Sequence, residues 1–85
     1  MSVEDRSSRI DHSGPKLLWR QIAEDILADL NSGALPGGAQ LPSELDLASS
    51  YGVSRITVRR AIKELRQEGR VRVVQGRGTY AEPAD

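Results

Sequence analysis

Apolar residues recur every three or four positions in two stretches of this chain, the spacing that places side chains on one face of a helix. Residues 16–32 contain the first stripe, formed by Leu18, Ile22, Ile26 and Leu30. Residues 55–68 contain the second stripe, formed by Val58, Ala61, Ile62 and Leu65. Gly33 and Gly69 follow the two stripes, where glycine commonly ends a helix. The pattern predicts two amphipathic helices, each with one buried face.

A third, shorter helix is predicted between them. Residues 33–40, GALPGGAQ, hold three glycines and a proline and favour a loop. Ser43 then offers a hydroxyl as an N-cap, and Asp46 follows three residues later in the arrangement of a capping box. Gly52 ends this helix and Ser54 caps the next one. Two helices joined by a short glycine turn predict a helix-turn-helix.

The C-terminal part of the chain has the pattern of a β-hairpin. The segments VRVV at 71–74 and TYA at 79–81 resemble strands, and QGRG between them predicts the turn. A short strand at 39–41 is expected to pair with this hairpin. The predicted fold is mainly α with a small β-sheet: a winged helix-turn-helix of three helices plus a C-terminal β-hairpin wing. Residues 1–14 are expected to be a flexible tail, and residues 15–82 the domain.

Charge is distributed unevenly along the chain, although its 85 residues include 12 basic and 12 acidic side chains. Residues 1–53 carry a net charge of −4, and residues 54–77 carry eight basic and two acidic groups. The basic segment contains the second helix of the helix-turn-helix and the wing. Such a concentration of cations indicates a surface that meets an anionic partner.

Other classes of function find little support in the composition. The chain has no cysteine, and its single histidine, His12, lies in a polar stretch without clustered ligands. No apolar run approaches the roughly 20 residues of a membrane span, and the N-terminus lacks the apolar middle of a signal peptide. We therefore expect no enzyme, no metal site, no cofactor, no contact with a membrane and a cytoplasmic location.

The predicted second helix of the helix-turn-helix is suited to the major groove of DNA, where residues near its N-terminus meet base edges. Arg55, Thr57 and Arg59 occupy those positions, and arginine can bind guanine O6 and N7 together. Arg60 and Lys63 lie further along, where contact with backbone phosphates is expected. Two alternatives stay open: a merely solvated basic face, or a protein–protein interaction module that uses the acidic first helix or the wing.

The segment LPSELDLASSYGVSRITVRRAIKELRQEGRVRVVQGRGTYA closely resembles the GntR-type bacterial transcription regulators. The preceding LWRQIAEDILADLNSGALPGGAQ resembles their HutC-like branch, so that the resemblance covers about residues 16–81. It implies a sequence-specific regulator of transcription, with repression as the expected mode, that binds palindromic double-stranded DNA operators as a homodimer. The reading elements are the recognition helix 54–68 and the wing 71–81. The positions that match the family's DNA contacts are Ser43, Ser54, Arg55, Thr57, Arg59, Gly76 and Arg77.

The chain departs from the family pattern in two places. Leu45 stands where the family usually has an arginine after LPSE, which removes one implied contact and suggests altered specificity or weaker affinity. Ile56 stands where a small or polar residue is common, and it either touches a thymine methyl or fills space. The family also carries a C-terminal effector-binding domain, and we expect no small-molecule site within these residues. The sequence is consistent with two alternatives, an isolated DNA-binding fragment or a short regulator without its own effector pocket.

Overall fold

The computed structural model describes residues 5–83 and contains the predicted helices and hairpin in the predicted order. Three α-helices are followed by a two-stranded antiparallel hairpin: α1 Leu18–Ser32, α2 Glu44–Tyr51, α3 Arg55–Gln67, β1 Val71–Val74 and β2 Gly78–Ala81. A 3-10 helix at Ser7–Arg9 precedes α1 and was not expected. The predicted winged helix-turn-helix, mainly α with a small sheet, is therefore confirmed.

Serine caps begin both helices of the helix-turn-helix. The Ser43 hydroxyl accepts from the backbone N–H of Asp46 at 3.1 Å, and the Ser54 hydroxyl accepts from the N–H of Thr57 at 3.2 Å. Only this half of the expected capping box at α2 forms within residues 5–83. Gly52 ends α2 with a positive φ of 72°. This left-handed conformation favours glycine and permits the sharp turn into α3.

The core lies where the three helices meet the base of the hairpin. Both predicted stripes face inward, and Val58, Ala61 and Leu65 of α3 are fully buried. Helix α1 contributes Ile22 and Ile26, while Leu18, Trp19, Leu27 and Leu30 pack against the core from its edge. Because the apolar side of α3 is used up in this way, its basic side must face outward.

The hairpin is joined to the loop that precedes α2. Its strands pair from Val71 with Ala81 to Val74 with Gly78. The expected third strand at 39–41 is reduced to a single bridge between Gln40 and Tyr80. Two backbone hydrogen bonds of 2.8 Å accompany it, from Leu41 N–H to the Thr79 carbonyl and from Ala81 N–H to the Ala39 carbonyl. The wing is thus fixed to the domain along one edge.

The N-terminal segment differs from the expected flexible tail. Residues 1–4 lie outside the described residues, but residues 5–14 pack against α1 and α2. Ile10 joins the core, and the Arg6 N–H donates to the Ser50 carbonyl at 2.8 Å. His12 Nε2 lies 2.8 Å from the Tyr51 carbonyl oxygen. The residues that make these contacts do not recur at a regular spacing, so the hydropathy pattern could not predict the packing of this segment.

The acidic side chains of α1 pair with residues of the N-terminal segment, with Lys16 and with Tyr51 of α2. Arg9 reaches Asp25 and Asp29 at 3.2 and 3.3 Å, and Lys16 pairs with Glu24. The hydroxyl of Tyr51 donates to Asp25 Oδ2 at 2.6 Å. Burial of this ring, and then the bond to Asp25, raise the pKa of Tyr51 above its ordinary value. The three acidic side chains of α1 thus all have a partner within the chain.

Candidate nucleic-acid interface

Helix α3 presents a row of exposed side chains opposite its buried stripe. Arg55, Ile56, Arg59 and Lys63 are all exposed there. The first two turns of the helix hold three of them, beside the turn that joins α3 to α2. The expected basic face thus exists, with its cations concentrated near the helix N-terminus.

Glu44, in the first turn of α2, holds two of these arginines. Its carboxylate accepts from Arg59 Nε and Nη2 at 3.2–3.4 Å. It also lies 3.7 Å from Arg55 Nη2. The side chains of Arg55 and Arg59 nevertheless remain 55% and 60% exposed. A shared counter-charge restrains both guanidinium groups without removing them from solvent, so each keeps donors free for a ligand.

The two hydroxyls at the start of α3 bind each other. Ser54 Oγ lies 3.0 Å from Thr57 Oγ1, and the same Ser54 oxygen caps the helix. Ser54 is exposed and Thr57 is half-buried. This pair therefore lies at the positive end of α3, where backbone N–H groups and hydroxyl donors favour an anion.

Arg60 is directed toward α1 instead of standing free. Its guanidinium carbon lies 4.6 Å from the centre of the Trp19 ring, and its Nε donates to Glu64 at 3.2 Å. A cation over an indole face is attracted by the ring's negative face. Arg60 thus keeps its charge at the edge of the exposed face, in a fixed position between α3 and α1.

The wing tip depends on two glycines and on Gln40. Gly76 and Gly78 have φ of 77° and 130°. Gln40 Nε2 donates to the Arg77 carbonyl at 2.9 Å, and a Cβ at Gly78 would lie 2.6 Å from that same nitrogen. The positive φ of Gly78 therefore favours glycine, whereas a Cβ at this position would displace only the end of the Gln40 side chain. The Arg77 side chain extends into solvent.

A groove of about 700 Å³ separates the wing from the starts of α2 and α3. It brings together four predicted site residues from three separate parts of the sequence, since Ser43, Arg55, Gly76 and Arg77 all line it. Leu45 lies there as well and is 61% exposed. Leu45, at the position where the family usually has arginine, thus lines the groove and does not pack in the core.

Sequence reasoning missed two residues that organise this face. The sequence pattern assigned Glu44 no role in the interface, although its position beside the first turn of α3 makes it the partner of two arginines. Gln40 gave no signal, because its role depends on the wing folding back over the loop. Among residues 5–83, no cluster of metal-binding side chains occurs, and no helix is long and apolar enough to span a bilayer.

The arrangement of an outward basic helix, a capped turn and a glycine wing is matched by a family of known proteins. Residues 18–81 match the model of the bacterial regulatory proteins of the gntR family. The chain belongs to the GntR family. This membership confirms the resemblance stated from the sequence, and it confirms that the domain is regulatory and not enzymatic.

Curated relatives of this GntR-family chain include named repressors. The mannosyl-D-glycerate transport/metabolism system repressor MngR of Escherichia coli (strain K12) is 43% identical over 67 residues, covering 79% of this chain and 28% of MngR. The histidine utilization repressor of Pseudomonas aeruginosa is 39% identical over 85 residues, covering 96% of this chain and 34% of the relative. The chain thus spans about a third or less of these proteins.

Solved structures of the family share the fold. The DNA-binding domain of AraR in complex with operator ORX1 has a TM-score of 0.79 and 33% identity, covering 84% of this chain and 92% of that one. YtrA from Sulfolobus acidocaldarius, a GntR-family transcription factor, has a TM-score of 0.81 and 36% identity, covering 89% and 80%. Both likenesses extend over nearly all of the described residues.

Proposed function

We propose that this GntR-family domain binds a specific sequence of double-stranded DNA in the bacterial cytoplasm and represses transcription by occupying an operator. The observation that carries the proposal is the joint placement of the start of α3 and the wing around one groove. Ser43, Arg55 and Arg77 come from three different elements and line the same side of the molecule. A basic helix alone is consistent with mere solvation, whereas three converging elements favour a shaped anionic partner.

Arg55 and Arg59 are the proposed base-reading residues. Both stand in the first two turns of α3, the part of a recognition helix that meets base edges in the major groove. The carboxylate of Glu44 restrains both side chains. Restraint before binding lowers the entropy lost on contact. Each bidentate contact between arginine and guanine contributes roughly 1–3 kcal/mol of discrimination against a wrong base.

The remaining site residues are proposed to hold the DNA backbone. Ser43, Ser54 and Thr57 lie at the starts of α2 and α3, where hydroxyls and N–H groups suit phosphate oxygens. Arg60 and Lys63 add charge along the helix. At the wing tip, Gly76 permits close approach of the backbone, and Arg77 extends toward an adjacent groove.

Two copies are proposed to act together on a palindromic site. MngR and the histidine utilization repressor are named as repressors, and the AraR domain was solved on an operator. One small domain reads only a half-site, so pairing on a symmetric sequence raises affinity through effective concentration. These likenesses support an operator-binding repressor, with the identity of the operator left to experiment.

Selection from a randomised duplex library, followed by binding titrations on the selected site, tests the proposal. Arg59→Ala is expected to lose roughly 5- to 150-fold in affinity for the selected site, the equivalent of one base contact. Its affinity for random DNA should fall much less. Arg70→Ala is the matched control, because Arg70 lies near the far end of α3 and bonds to Asn31 at 2.5 Å.

The two variants change the net charge of the chain equally, so a difference between them reports the position of the arginine and not the lost charge alone. Enrichment of a two-fold symmetric motif with selective loss in Arg59→Ala supports the proposal. Failure to enrich any motif argues against specific DNA binding. Equal behaviour of Arg59→Ala and Arg70→Ala on the selected site means that α3 is not the reading element.

A further inference from the structure

Ile56 is the most exposed large apolar side chain in the described part of the molecule, at 76%. It is the second residue of α3 and lies opposite the buried stripe of that helix. Isoleucine has only a modest helix propensity, because its branched side chain loses rotamer freedom in a helix. Neither packing nor helix formation therefore accounts for this residue at this position.

The neighbours of Ile56 on the outer face are restrained on both sides. Arg55 and Arg59 are held by Glu44 on one side. Arg60 is held by Glu64 and the Trp19 ring on the other. Ile56 consequently lies between two sets of paired cations, at the N-terminal part of α3, which in a recognition helix meets base edges in the major groove.

We propose that Ile56 reads the 5-methyl group of a thymine in the operator, an inference that rests on the proposed function. Thymine is the unmodified base that presents a methyl group in the major groove. The other base edges there are donors and acceptors, and covering them with an isoleucine removes water without returning a hydrogen bond. Ile56 thus favours an A·T pair whose thymine faces α3, beside the bases that Arg55 and Arg59 contact.

Deoxyuridine substitution isolates the methyl group, because it removes that group and leaves base pairing intact. Each thymine of the selected operator is replaced singly, and affinity is measured for the wild-type chain and for Ile56→Ala. At one position in each half-site, wild-type affinity should fall about fourfold, the effect of exposing one buried methyl group. For Ile56→Ala the same replacement should change affinity by less than about 1.5-fold.

Leu17→Ala is the matched control, since Leu17 is another exposed apolar residue at 57% and lies at the start of α1. This variant should keep the fourfold dependence on the methyl group. If an operator is selected but no uridine replacement weakens wild-type binding, the inference is wrong and the proposed function stands. The inference is also overturned if the methyl dependence persists in Ile56→Ala. If selection yields no operator, the proposed function falls and the inference falls with it.

Discussion

Replacing Tyr51 with phenylalanine tests how the N-terminal half of this domain is held together. The Tyr51 ring is fully buried, so water cannot take over a lost hydrogen bond. Its hydroxyl donates to Asp25 at 2.6 Å and lies 3.4 Å from Arg6 Nη1. A hydrogen bond to a charged group contributes about 1.5–3 kcal/mol to the free energy of unfolding.

The expected loss lies at the lower end of that range. Asp25 also accepts from Arg9 at 3.2 Å, so the carboxylate is not left unpaired in Tyr51→Phe. We expect the free energy of unfolding to fall by about 1.5 kcal/mol. For a domain of this size, the melting temperature should then fall by about 6–12 °C. Urea denaturation and thermal melting followed by circular dichroism measure both quantities.

The same substitution should change the alkaline limb of the stability profile. The pKa of Tyr51 is raised in the folded chain above its ordinary value of 10.0. Below pH 10 its contribution to stability is fully present. As the pH rises above 10, the unfolded chain releases this proton while the folded chain retains it, so stability falls. The slope attributable to Tyr51 approaches about 1.4 kcal/mol per pH unit and should be missing from Tyr51→Phe.

Tyr80→Phe is the matched control, because no hydrogen bond of the Tyr80 hydroxyl occurs within residues 5–83. Its free energy of unfolding should stay within about 0.5 kcal/mol of the wild-type value. The reasoning is refuted if Tyr51→Phe loses no more stability than Tyr80→Phe. It is also refuted if the alkaline slope is the same in the wild-type chain and in Tyr51→Phe.

Two further substitutions test the wing and the first cap. Gly78→Ala should destabilise the folded chain by about 1–3 kcal/mol, since a backbone φ of 130° is strained for a residue that carries a Cβ. Urea denaturation measures the change, and an unchanged midpoint contradicts this backbone requirement. Ser43→Ala should cost about 1 kcal/mol of unfolding free energy, because the N–H of Asp46 loses its acceptor; Ser43→Thr should retain most of it, and equal loss in both variants excludes the cap as the cause.

The helices and most of the candidate interface follow from local sequence signals. The apolar stripes of α1 and α3 have helical spacing, and Ser54 and Gly52 are the residue types that begin and end helices. The bounds of α3 differ from the prediction by one residue, Gln67 in place of Glu68. Arg55 and Arg59 follow from the same periodicity, since they lie away from the stripe.

Contacts between distant parts of the chain were not predictable in the same way. Gln40 contacts the Arg77 carbonyl across 37 positions of sequence, and Arg6 contacts Tyr51 across 45. Such pairs are polar and occur singly, so they leave no repeating pattern in one sequence. The sequence predicted a phosphate contact for Arg60. Its contact with Trp19 was not predictable, because it depends on how α1 packs against α3.

The packing of residues 5–14 sets the N-terminal bound of the DNA-binding domain that could be transferred to another protein as a unit. The family match begins at residue 18, yet Arg6 and Ile10 lie at least nine-tenths buried against the helices. A chimera whose DNA-binding domain begins at residue 18 lacks this segment. Its absence would expose Asp25, Asp29 and the end of α2 together. A chimera whose domain begins at residue 5 keeps Arg6 and Arg9 as partners of these carboxylates. It also keeps Ile10 in the core.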